Sequence, residues 1–186
     1  MSIILYGPPG VGKTALAHLI AERSRARTVS LNAVTAGVAD IRKVTQEAAR
    51  ERSEGDSRTV LFIDEIHRFT RVQQDALLPD VERGTITLIG ASTQNPFFAI
   101  IPALSSRSQI FEFKPLTPEN IRALILRALV DSERGLGHLQ VNLTPEALDL
   151  IVAQSNGDAR RALNARELGV LSTAPDSEGT IRYDLR

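Results

Sequence analysis

Gly7-Pro8-Pro9-Gly10-Val11-Gly12-Lys13-Thr14 lies between an apolar run, Ile3-Ile4-Leu5-Tyr6, and a helix-forming stretch, Ala15-Leu16-Ala17-His18-Leu19-Ile20. Strand, glycine-rich turn and helix in that order predict a loop that cradles phosphates. Glycines suit such a loop because side chains would keep the backbone N–H groups from curling around an anion. Lys13 then supplies a point charge for the terminal phosphates, Thr14 offers a hydroxyl to Mg²⁺, and the helix N-terminus adds its positive end. The competing reading, a glycine-rich hairpin turn, does not account for the helix that follows.

Short β-branched runs recur at 2–6, 28–31, 59–63, 85–90 and 109–113, and helical periodicity fills the intervals at 13–24, 38–53 and 71–82. Strands alternating with helices predict an α/β fold, a five-stranded parallel sheet flanked by helices. In such sheets ligands lie beyond the carboxyl ends of the strands, which is where a loop following the first strand falls. After Lys114-Pro115-Leu116 the strand signals stop. Helix patterns follow from Pro118 to about Arg134, Pro145 to about Ser155 and Asp158 to about Leu171. Thr117-Pro118 and Thr144-Pro145 each place a capping hydroxyl before a helix-starting proline. The expected organisation is a nucleotide-binding core over 1–115, a small all-helical domain over 116–174, and a linker over 175–186 opened by Pro175-Asp176-Ser177-Glu178-Gly179.

With 186 residues, 42% of them hydrophobic, the chain can bury one good core and a small satellite domain. Twenty-two basic and twenty-two acidic residues cancel, so any nucleic-acid surface must be local. No cysteine occurs, which excludes disulfides and thiolate metal sites. The apolar runs are too short to span a bilayer and no signal-peptide cleavage site precedes the loop, so a cytoplasmic protein without membrane partners is expected.

The third strand ends Leu61-Phe62-Ile63-Asp64-Glu65, with two carboxylates emerging where the apolar residues cease. Beside the first strand they would face the phosphates, Asp64 holding Mg²⁺ mostly through water and Glu65 polarising the water that attacks the γ-phosphate. The fourth strand ends Gly90-Ala91-Ser92-Thr93. Thr93 is the candidate to orient that water, with capping of the next turn as the alternative use of its hydroxyl. His18, His67 and His138 have no second ligand at metal spacing and read as packing or surface residues. Arg68-Phe69 reads as a helix-start staple, with contact to DNA or a neighbouring subunit as the alternative.

Gly7–Thr14, Asp64-Glu65-Ile66-His67-Arg68-Phe69, Gln73-Gln74-Asp75-Ala76-Leu77-Leu78-Pro79, the run Gly84 to Pro96 and Asn156-Gly157-Asp158-Ala159-Arg160-Arg161-Ala162-Leu163-Asn164 together resemble the AAA+ ATPases. Within that class the chain, up to about residue 172, resembles the clamp-loader clade and most narrowly the RarA (MgsA) and Werner-helicase-interacting protein family. The resemblance implies an AAA+ P-loop core with sheet order 5-1-4-3-2, a helical lid, and ATP with Mg²⁺ as cofactors. It also implies homo-oligomers that couple ATP hydrolysis to work on DNA at stalled forks, gaps or ends in the nucleoid, with single-strand-binding protein or a clamp as further partners. By the same resemblance Thr93 matches sensor 1, Arg107 the arginine finger offered to a neighbouring subunit, and Arg160 sensor 2. Asn32 resembles the residue that restrains the catalytic glutamate.

The chain starts six residues before Gly7, and the family's upstream adenine-contacting segment and C-terminal oligomerisation domain do not match anywhere in it. A truncated core that binds ATP weakly and hydrolyses it slowly is the expectation, because a finger from a neighbour is worth about 10³–10⁵ in rate. Other readings are a RuvB-type motor, a clamp-loader subunit, and a nucleotide-gated scaffold without hydrolysis. The first requires a hairpin for which the interval from Glu65 to Thr93 has no room. The second has a Ser-Arg-Cys finger that here reads Ser106-Arg107-Ser108. The third often lacks one of Glu65, Thr93, Arg107 or Arg160, all of which are present.

Overall fold

A computed structural model describes residues 1–55 and 58–184. The chain divides into two compact units. One comprises Met1–Pro8 and Gly12–Phe113; the other runs from Lys114 onward and includes Pro9–Val11.

In the first unit the order is β1 (Ser2–Tyr6), α1 (Lys13–Arg23), β2 (Arg27–Asn32), α2 (Val38–Glu54), β3 (Thr59–Asp64), a 3₁₀ turn (Ile66–Arg68), α3 (Arg71–Glu82), β4 (Ile86–Ser92), the single-turn helices α4 (Pro96–Ala99) and α5 (Pro102–Ser105), and β5 (Ser108–Glu112). The strands form one parallel sheet in the order β2-β3-β4-β1-β5, the order that the family resemblance implied read from its other edge.

The continuous apolar run of β3 is explained by burial on both faces. Leu61 and Ile63 point to one side and pack with Ile41, Val44 and Ala48 of α2 and Leu77 of α3; Val60 and Phe62 point to the other and pack with Ala17 and Ala21 of α1. Leu61 and Ile63 are fully buried, each contributing about 1.5–3 kcal/mol of transfer free energy. The edge strand β2 instead alternates half-buried and exposed positions, and its Arg27 bridges Glu47 and Glu51 of α2 at 2.7 Å each. From α3 to β4 the chain needs only 83–85, so no hairpin is inserted there.

The second unit contains α6 (Pro118–Val130), β6 (Val141–Leu143), α7 (Pro145–Ser155), α8 (Ala159–Ser172) and β7 (Ile181–Tyr183). The all-helical expectation is thereby corrected: β6 and β7 form a parallel pair with Val141 opposite Ile181. The linker expected over 175–186 is corrected with it among the described residues. Asp176 accepts the N–H groups of Glu178 and Thr180, turning the chain back so that Ile181 enters a cluster with Leu136 and Val170. Strands of three residues are too short for alternation to register in sequence. Helix α6 also ends earlier than its periodicity predicted, because the Asp131 carboxylate takes the N–H groups of Glu133 and Arg134 and turns the chain. None of the helices in the described residues is long and apolar enough to cross a membrane.

Candidate active site

The carboxyl ends of β1, β3 and β4 converge. Tyr6 is in register with Ser92, and the next residue, Gly7, donates its N–H to the Ser92 carbonyl at 3.1 Å. Gly7 has φ +147°, and a Cβ there would overlap the Phe113 carbonyl, so both backbone angle and space demand glycine. Gly12, at φ +96°, caps α1 and has open space where a Cβ would sit. Lys13 is 7% exposed, and its Nζ donates to the carbonyls of Gly7 and Pro8 at 2.7 Å each, folding the ammonium along the inner rim of the loop. Thr14 follows on the first turn of α1, half-buried. Pro9, Gly10 and Val11 group with the second unit, Gly10 at φ +69°.

Strand β3 stops because Glu65 takes a left-handed backbone, φ 54° and ψ 41°, and starts the 3₁₀ turn. A non-glycine residue held there stores about 1–3 kcal/mol, a strain found where a side chain must be aimed. Its N–H donates to Asp64 Oδ1 at 3.1 Å. Its Oε2 accepts the Thr93 hydroxyl at 3.2 Å and lies 3.2 Å from His67 Nε2. Glu65 thus joins Asp64 at the end of β3 to Thr93 beyond the end of β4.

The remaining predicted residues come from other parts of the chain. Asn32 is in register with Asp64, and its Oδ1 accepts the Val34 N–H at 2.8 Å. Arg107 precedes Ser108, at the amino end of β5, one strand's length from the carboxyl ends that carry the carboxylates, about 17 Å for five residues. Its guanidinium pairs with Glu82 at 2.7 Å and donates to the Ala103 carbonyl at 2.8 Å. Arg160 is exposed on the first turn of α8 in the second unit.

His67 was missed as a site residue. Its side chain is 3% exposed, wedged between Glu65 and Ser92, with Nδ1 3.1 Å from Ser92 Oγ. Burial pushes its pKa below the ordinary imidazole value, partly offset by the Glu65 carboxylate. Only the tight turn after Glu65, which sequence does not reveal, brings the ring back over the strand ends. His18 packs against the Phe62 ring, 5.4 Å between centroids, in keeping with a packing role. Phe69 is buried immediately before the α3 cap Thr70, but the N4 residue a staple would pair it with is Gln74, whose amide instead donates to the Phe69 carbonyl at 3.0 Å.

As for a metal, Thr14 and Asp64 offer one hydroxyl and one carboxylate, hard oxygen donors of the type Mg²⁺ takes alongside waters and phosphate oxygens. Among the described residues no group of three or more His, Cys, Asp or Glu side chains is placed to hold a metal ion.

The family model described as ATPase family associated with various cellular activities matches residues 3–116. The chain is 46% identical to replication-associated recombination protein A of Bacillus subtilis, over 99% of this chain and 42% of that protein. It is 43% identical to ATPase WRNIP1 of Dictyostelium discoideum, over 91% of this chain and 19% of the relative. The Thermotoga maritima RuvB Holliday junction branch migration motor superposes with a TM-score of 0.76 at 26% identity, over 98% of this chain and 58% of that one. The chain thus spans about two fifths or less of the curated relatives it matches.

Proposed function

The chain belongs to the AAA family of ATPases, and on that premise we propose that it hydrolyses ATP at the crevice between β1, β3 and β4 as the motor core of a protein that works on replicating or recombining DNA. The observation that carries the reading is the contact of Thr93 Oγ1 with Glu65 Oε2 at 3.2 Å, beside a glycine loop anchored to Ser92. Lys13 exchanges two neutral carbonyls for the terminal phosphates, a stronger, charge-assisted pairing. Thr14 and, through water, Asp64 would hold Mg²⁺, which would supply charge neutralisation at the phosphate oxygens. Glu65 accepts the proton of the attacking water as its oxygen bonds to the γ-phosphorus and the bond to the bridging oxygen of ADP breaks. Thr93 orients that water.

Arg107 is too far from its own crevice to serve it, which supports a role toward a neighbouring subunit's γ-phosphate. Arg160 is read by the same family likeness as sensor 2, the residue that reports whether a γ-phosphate is present. The replication and recombination context rests on the relatives' names, and the short α3–β4 connection argues against a RuvB-type insertion.

Glu65→Gln is expected to lower phosphate release by at least about 100-fold while a non-hydrolysable ATP analogue binds as before; unchanged turnover would remove Glu65 as the base. Stimulation of the full-length protein by forked or gapped DNA over single strands and four-way junctions is the outcome that supports the DNA assignment. Stimulation only with a sliding clamp present would favour a loader instead.

A further inference from the structure

We propose that His67 is a positioning residue for Glu65, holding the water-activating carboxylate against the tip of β4 through Ser92. The inference rests on the reading of Glu65 as the general base. The ring is 3% exposed and touches two polar partners, Glu65 Oε2 at 3.2 Å through Nε2 and Ser92 Oγ at 3.1 Å through Nδ1. An ionised carboxylate only accepts, so the ring nitrogen facing it carries the hydrogen. Nε2–H therefore donates to Glu65, and Nδ1 meets Ser92 Oγ on the other side of the ring. Ser92 is fully buried and held on its other side, where its Oγ receives the Gln94 N–H at 3.0 Å and donates its hydroxyl hydrogen to the Gln94 carbonyl at 2.7 Å.

The result is a buried strut running from the end of β4 through an imidazole to the same carboxylate oxygen that Thr93 contacts. Glu65 is a flexible side chain on a strained backbone, and its oxygen must meet a water within hydrogen-bond reach. Two donors from different elements fix that oxygen better than one, and support of this kind separates a catalytic constellation from a loose one.

Two substitutions divide the ring's contacts. His67→Gln keeps an amide nitrogen where Nε2 sits and retains the bond to Glu65. His67→Asn keeps one where Nδ1 sits, retains the link to Ser92 and loses Glu65. At saturating Mg²⁺–ATP, Gln is expected to stay within about threefold of the parent kcat, whereas Asn falls by about tenfold or more, the scale of losses from removing such a supporting partner. Binding of a fluorescent non-hydrolysable ATP analogue and the melting temperature are expected to match in the two variants. Parental kcat in the Asn variant, or equal loss in both accompanied by equal loss of melting temperature, overturns the proposal. Glu65→Gln run in parallel separates the failures: if that variant still turns over, the base assignment is at fault; if it is inactive while His67→Asn is fully active, only the role of His67 is.

Discussion

His67 also sets a pH dependence for the fold. Burial lowers its pKa from the ordinary value of 6.5, with Glu65 opposing and Arg68 and Lys13 adding to the fall. The unfolded chain therefore binds a proton more readily than the folded one just below pH 6.5. Stability is then fully present above that value and is lost as pH falls toward and through the folded pKa. Melting temperatures of the parent and His67→Gln across about pH 5–8 are expected to diverge at the acid end, the parent declining more steeply. Parallel curves would mean that the ring is solvated. Gly7, Lys13, Asp64 and Glu65 were legible in the sequence because their chemistry is tied to spacing along one loop and one strand. His67 was not, since its role comes from a backbone reversal at Glu65 that no local residue signals.

Strand and helix patterns located every element of the parallel sheet to within a residue or two, since burial on both faces gives β3 an unbroken apolar run and leaves every position of β4 but Thr87 buried. Sheet order was not contained in those runs and followed only from the family resemblance. The β6–β7 pair escaped because each strand has three residues and their partnership joins positions forty apart. Its place in the second unit depends on Gly169 of α8, where a Cβ would overlap the Tyr183 ring. Gly169→Ala is expected to destabilise that unit by about 1–3 kcal/mol, the usual cost of overpacking. Denaturant unfolding should show much of the loss relieved when Tyr183→Ala is added, and additive losses would place the strain elsewhere.

On the proposed role of Arg107 as a finger for a neighbouring chain, its separation from the crevice would make turnover a property of neighbours. Phosphate release per chain is expected to rise with protein concentration. Arg107→Ala is expected to lose about 10³-fold, and mixing it with the Glu65→Gln chain should restore activity, since one supplies a working base and the other a working guanidinium. No recovery on mixing would place the finger elsewhere. The 2.7 Å pair with Glu82 gives the Arg107 guanidinium a counter-ion within its own chain, which a finger would have to leave. Docking is then a swap of ionic partners, and its gain is only the difference between one carboxylate and whatever the neighbour offers. A triphosphate outbids a single carboxylate by more than a diphosphate does, so the same short ion pair that quiets a lone protomer would also make the joint between protomers sensitive to whether the γ-phosphate is still there.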